Sequence, residues 1–292
     1  MHKSYGIISV FAVVASLFPG PAHAGPAREV WKVSGFKTPE SALYDKAHQR
    51  LIVSNINGAP DAVDGNGFLS LVSLDGQIIQ MDWASGFDAP KGMAIVGNKL
   101  FISDITKLRV VDLDTGKIIE TLAAEKAVFL NDVTASANGD VFVTDMLADR
   151  IYRYSGGKID LWLESAGLGA PNGIIADGNR LIVGSWGKGV HPDFTTDKPG
   201  GLLEVDMATK AVTPFPQATA FANVDGIVVL ARSIYLSDPL KGALYRVVAG
   251  QAPQLVAQFK PGDVDIGSDD ETLYVPMMNE GELFALKINA LN

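Results

Sequence analysis

The chain has 292 residues, of which 47% are hydrophobic, 20% charged and 8% aromatic, with no cysteine. Thirty-three acidic residues against 24 basic ones leave a formal charge of −9. These values exclude collagen-like, coiled-coil and strongly disordered chains, disulfide frameworks and thiolate metal sites; nucleic acid is excluded as a partner because no basic surface is present to meet phosphates.

In chain order, residues 1–24 come first and read as an export signal outside the fold. His2 and Lys3 make a short polar start, and residues 6–18 form an apolar run. Pro19, Gly20 and Pro21 break that run ahead of Ala22-His23-Ala24, a small-x-small cleavage pattern. The run is too short to cross ~30 Å of hydrocarbon as a helix. No later segment is long and apolar enough to span a membrane. The expected product is periplasmic or secreted, cut near Ala24, with residues 25–292 as a single domain. Lack of cysteine means that folding there needs no oxidation.

The rest of the chain shows almost no helical periodicity. One alternating run recurs six times: RLIVSN (50–55), KLFISD (99–104), DVFVTD (140–145), RLIVGS (180–185), SIYLSD (233–238) and TLYVPM (272–277). A second piece precedes each run: PESALYD, PKGMAIV, LNDVTAS, PNGIIAD, VDGIVVL and DVDIGSD. Third strands follow, such as RIYRYS and ELFALKI, and fourth-strand candidates include GKIIETL and GKIDLWL. Four short antiparallel strands repeated six times predict an all-β, six-bladed β-propeller with four-stranded blades. The last repeat stops at its third strand. REVWKVS (28–34) alternates suitably to complete it, so the N-terminal strand is expected to close the ring.

Equivalent inner-strand positions in a propeller face the central axis. Here they are Glu40, Lys91, Asn131, Asn172, Asp225 and Val264, spaced 51, 40, 41, 53 and 39 residues apart. Glu40, Asn131, Asn172 and Asp225 make a hard, all-oxygen set of the kind calcium takes, without the histidine or thiolate that zinc prefers. Two carboxylates would balance a divalent charge and repel each other without it. Taken singly, Asn172-Gly173 and Asp225-Gly226 are also ordinary turn dipeptides. Their shared phase in different repeats is what favours a site.

These phased pieces resemble the gluconolactonase / regucalcin / luciferin-regenerating-enzyme family of six-bladed propellers, over essentially all of the mature chain. The resemblance implies one divalent cation, calcium, in the channel. Its ligands would be Glu40 of PESALYD, Asn131 of LNDV, Asn172 of PNGI and Asp225 of VDGI, in blades one, three, four and five. It further implies a small-molecule substrate, a lactone or ester, whose carbonyl the cation would polarise while Asp225, or another base nearby, takes a proton from the attacking water. Sugar-lactone members often carry an arginine just before the Asn-Asp, where this chain has Phe129 and Leu130. That difference points to a substrate less polar than an aldonolactone. Only His48 and His191 remain once the signal is removed, and no G-x-S-x-G elbow occurs.

Two connections beside the expected site are long, at residues 55–67 and 186–201. Long loops in compact domains are often lids. Trp186, His191 and Phe194 of the second, with Lys91, are the expected substrate contacts. His191 is either an accessory acid-base group or a plain surface histidine. The first loop carries Asp61 and Asp64 within DAVDGNG, which reads as a polar turn or a second ion site. Asp104, Asp145 and Asp238 end second strands on the same face, as turn formers or as supports for the ligands. The competing reading is a non-catalytic propeller that binds a small molecule or a partner protein, with calcium fixing its channel.

Overall fold

The computed structural model describes residues 27–262 and 265–288. Residues 1–24, with the expected export signal, and Val264, the sixth ring position, lie outside the described residues. Among those described, no helix is long and apolar enough to cross a membrane.

Six four-stranded antiparallel sheets form a propeller. Blade one runs through Pro39–Asp45, Arg50–Asn55, Gly67–Ser73 and Ile78–Phe87, and blade two through Pro90–Val96, Lys99–Asp104, Lys107–Asp112 and Ile118–Ala123. Blade three comprises Leu130–Ala135, Val141–Asp145, Arg150–Ser155 and Lys158–Glu164. Blade four comprises Pro171–Asp177, Arg180–Val190, Thr196–Asp206 and Val212–Pro214. Blade five comprises Ile227–Leu230, Ser233–Asp238, Ala243–Val247 and Gln254–Gln258. Blade six has Gly267–Ser268, Thr272–Met277 and Glu282–Ile288, with Ala27–Ser34 as its outer strand. That closing strand pairs from Ala27↔Ile288 to Ser34↔Glu282, as the truncated last repeat requires.

The hydrophobic core is divided into interfaces between blades, and strand alternation explains how. Leu51 and Val53 point toward blade six while Ile52, between them, points toward blade two. Leu181 and Val183 face blade three, and Ile182 faces blade five. Second strands are therefore buried on both sides, which is why their sequences read as nearly continuous apolar runs.

The connection at residues 186–201 differs from the expected loop. Its strands continue past Ser185 as a β-ribbon, with Gly187 opposite Pro199, Lys188 opposite Lys198 and Val190 opposite Thr196. Glycine and proline hide this ribbon from a propensity reading. Yet Gly187 and Gly189 adopt positive φ, where a side chain would be strained and would also strike the facing strand.

Trp31 fastens the ring closure to two blades. Its indole Nε1 donates to Leu74 O of blade one at 2.9 Å, and its ring lies 6.0 Å from Tyr274 of blade six. Trp31→Ala is expected to lower stability by about 2 kcal/mol and the Tm by ~5 °C. Differential scanning calorimetry measures both, and an unchanged Tm would mean that the closing strand carries little of the ring's stability.

Candidate metal and substrate site

The ring positions are set by a break in strand register. In the first four blades the inner strand slips against its neighbour at the same place: between Pro39 and Ala42, Pro90 and Met93, Leu130 and Val133, and Pro171 and Ile174. Such bulges re-aim the side chains they contain. The residues inside them are Glu40-Ser41, Lys91-Gly92, Asn131-Asp132 and Asn172-Gly173. In blade five the ladder starts at Ile227, which leaves Asp225-Gly226 just ahead of it.

A bulge frees a backbone N–H, and second-strand hydroxyls take it up. Ser41 N donates to Ser54 Oγ at 3.0 Å, Asp132 N to Thr144 Oγ1 at 3.0 Å and Gly226 N to Ser237 Oγ at 2.9 Å. Thr144 in turn donates to Asn172 O of the next blade at 2.7 Å, and the Ser103 hydroxyl donates to Asn131 O. The backbones of the ring residues are thus tied both within and between blades.

Glycine after a ring residue serves close approach, not a turn. Gly92, Gly173 and Gly226 are absent from the residues with positive φ. A Cβ on Gly173 would collide with Asp225 O, and one on Gly226 with the Asp265 carboxylate. The turn reading of Asn172-Gly173 gives way here, because the pair lies within a strand pressed against the next blade.

Acidic and amide groups at the ends of second strands brace the approach to three of the four bulges. Asp145 accepts from Phe129 N at 2.7 Å and Val128 N at 3.1 Å. Asp104 accepts from Asp88 N at 3.0 Å and Ala89 N at 2.8 Å, and Asn55 Oδ1 from Lys37 N at 3.0 Å. Each acceptor meets the chain two or three residues before Asn131, Lys91 or Glu40. Burial pushes the Asp145 carboxyl above the usual carboxylate range, against the two backbone donors that pull it down. Asp238 instead accepts from Lys241 N and Nζ, closing a local turn.

Glu40, Asn131, Asn172 and Asp225 line one cavity of about 470 Å³, together with Lys91, Trp186 and Phe194. The four oxygen-bearing residues are 7%, 6%, 2% and 6% exposed, respectively. Both asparagines turn their amide nitrogens toward the Met146 sulfur, at 3.7 Å from Asn131 and 3.9 Å from Asn172. Asn172 Nδ2 also donates to Asp225 Oδ1 at 2.6 Å. Their carbonyl oxygens are left buried, and neither Asn131 Oδ1 nor Asn172 Oδ1 accepts a hydrogen bond. A buried acceptor without a donor costs about 1–3 kcal/mol, so the pair calls for a cation or ordered water. Two such carbonyls beside two carboxylates fit a hard divalent ion.

Lys91 is 2% exposed, and its ammonium donates to Pro60 O at 2.7 Å and Ala89 O at 3.0 Å. It also lies 4.7 Å from the Phe129 ring centre. Through Pro60 it holds the 56–66 connection against the cavity. Within that connection Asp64 accepts from Asn66 N and Nδ2, closing a turn on itself, and Asp61 is exposed.

The ribbon of blade four delivers two of its three expected contacts. Trp186 Nε1 donates to Phe194 O at 2.8 Å, and Phe194 packs 6.0 Å from Phe129. Phe194 holds a φ of 62°, costly for a bulky residue, and its side chain lines the cavity. His191 is not brought to the cavity. It is half exposed and pairs across the ribbon with Asp197 at 3.0 Å.

Several lining residues carried no motif. Ile56, Met146, Pro239, Leu240, Met278 and Asn279 all reach the cavity. Each lies within two residues of the end of a second strand, so the rule that those ends face the site would have found them.

No protein-family model matches the chain, and no curated protein matches it either. Among solved structures, the fold is similar to a propeller described as a candidate gluconolactonase, at 16% identity and a TM-score of 0.64 over 92% of this chain and 93% of that one. It is also similar to virginiamycin B lyase from Staphylococcus aureus, at 13% identity and a TM-score of 0.61 over 89% of this chain and 99% of that one. A chain of a nidogen/laminin complex matches at 14% identity and a TM-score of 0.61 over 77% of this chain and 87% of that one. Identities this low carry the architecture alone.

Gly173→Ala tests the packing that brings Asn172 to Asp225. The substitution is expected to cost about 3 kcal/mol or more, because two inner strands must separate. Urea unfolding reads that loss, and a cost below about 1 kcal/mol would contradict the close approach.

Proposed function

We propose that this protein is an exported, calcium-dependent hydrolase of lactones or related esters. One observation carries the reading: four oxygen-bearing side chains from four repeats meet in one cavity, and two of their carbonyl oxygens are buried without a donor. The ligands would be Glu40, Asn131, Asn172 and Asp225. A calcium ion held by them supplies Lewis acidity beside a scissile carbonyl oxygen.

The remaining roles fall to the chain itself. Asn172 Nδ2 fixes the Asp225 carboxylate through Oδ1, so Asp225 is held in one orientation to take a proton from an attacking water. Met146 keeps both amide carbonyls turned inward. Phe129, Trp186 and Phe194 exclude bulk water from one side. Lys91 adds a positive charge to the same cavity and so tempers the attraction of two carboxylates for a divalent ion. Among the described residues no histidine lines the cavity. A catalytically inactive histidine-to-alanine form of virginiamycin B lyase has been solved with quinupristin, and this cavity offers no such histidine.

Calcium at a hundredfold excess over its Kd is expected to stabilise the fold by about 2.7 kcal/mol, seen as a rise in Tm that chelator reverses. Glu40→Gln and Asp225→Asn are each expected to abolish calcium-dependent hydrolysis across a lactone and arylester panel while leaving a β-rich, cooperatively melting protein. Full activity in both variants would reject the site. Calcium stabilisation with no turnover on any panel member would favour a binding propeller.

A further inference from the structure

The floor and the walls of the cavity have opposite chemistry. The floor holds Glu40, Asn131, Asn172 and Asp225. Above it lie two apolar clusters that belong to none of the six interfaces between blades. Phe129, Met146, Ala170 and Trp186 form one, with Val190 and Phe194 packed against it. Ile56, Ala89 and Ile105 form the other, with Met278 alongside. Leu240, from blade five, adds a partly exposed side chain to the same rim.

These side chains are themselves buried and join neighbouring blades above the main interfaces, so only their cavity-facing edges are offered to a ligand. The one indole N–H in the wall is already committed to Phe194 O. Asp193, at the tip of the ribbon, is held by Thr195 N and Oγ1, and those bonds keep its carboxyl below the usual carboxylate range. A polyhydroxylated ring seated on the floor would press several hydroxyls against the side chains of Phe129, Met146 and Phe194, whose one polar atom, the Met146 sulfur, already faces the two asparagine amides. Each buried hydroxyl left unpaired is a penalty. An alkyl chain in the same place gains from every methylene removed from water. An anionic substrate would meet three carboxylates, Glu40, Asp225 and Asp193, but also the Lys91 ammonium, so charge alone sets no preference.

We infer that the cavity selects a lactone bearing an apolar substituent: the lactone carbonyl on the polar floor and an alkyl or aryl group along the wall of Phe129, Met146, Trp186 and Phe194. The inference rests on the hydrolase reading of the site, but its ligand class can be tested without turnover.

The experiment uses the calcium-loaded protein and a series of γ-lactones with side chains from methyl to hexyl, beside gluconolactone. The matching γ-lactams serve as non-hydrolysed probes in calorimetric titrations. The expected kcat/KM rises about fourfold per added methylene over the first few carbons, with lactam affinity following the same slope. Gluconolactone is expected to be turned over at least ~100-fold more slowly than the hexyl lactone, as follows from that slope over several methylenes. Phe194→Ser, in the half-buried turn of the ribbon, is expected to flatten the chain-length slope while keeping the calcium-induced rise in Tm. A preference for gluconolactone, or a flat series in the unaltered protein, overturns the inference and leaves the hydrolase reading standing. Lactam affinity that climbs with chain length, with no turnover of any lactone, upholds the ligand class and rejects the hydrolase reading. No measurable lactam binding overturns the inference.

Discussion

Everything at the site depends on one backbone irregularity, repeated. A regular inner strand would place alternate side chains in the interfaces between blades and none directly down the axis. The slip after the first residue of the inner strand in the first four blades turns Glu40, Lys91, Asn131 and Asn172 inward instead, and Asp225 lies just ahead of its own strand. The slip is tolerable because Ser54 and Thr144 supply acceptors that the ladder withholds, and Ser237 does the same for Gly226 ahead of the blade-five strand. The same hydroxyl-bearing positions, through Thr144 and Ser103, fix the carbonyl of the next blade's ring residue. Architecture and site are therefore one construction, and a change in the second strand reaches the cavity without touching it.

The charge balance of the cavity follows from the repeat. Blade two places a lysine where blades three and four place asparagine and blade one glutamate. An ammonium at this depth is held by two backbone carbonyls and an aromatic face, which makes its burial tolerable. Two carboxylates and one ammonium leave the floor with a single net negative charge, against the full neutralisation that the carboxylates alone would offer a divalent ion.

Much of this was legible in the sequence because propellers write themselves as repeats. Six phased runs give the blades, the missing strand of the last repeat gives the closure, and the shared phase of Glu40, Asn131, Asn172 and Asp225 gives their convergence. What escaped was anything carried by residues without a pattern. The ribbon after Ser185 was hidden because its glycines and Pro199 argue against a strand, while its pairing is decided across the hairpin. Asp104 and Asp145 read as turn formers or as supports for the ligands, and the choice stayed open because backbone N–H groups two or three residues before a ring position leave no mark on composition. The place of His191 depended on which side of the ribbon its turn presents, and a pairing with Asp197 is invisible to spacing. The apolar rim came from single residues after second strands, such as Ile56, Met146 and Leu240, each unremarkable alone.

Ala27 sits opposite Ile288, so the two ends of the described chain are register partners in one strand pair. That contact spans nearly the whole polypeptide and is among the last for which loop-closure entropy can be repaid. A ring joined in this way folds late as a unit, with high contact order and slow completion. The adjacency also makes the break between the termini a matter of sequence rather than of shape. Joining Ala27 to Ile288 through a short linker and opening the chain at an outer hairpin would leave all six sheets and the axial cavity intact.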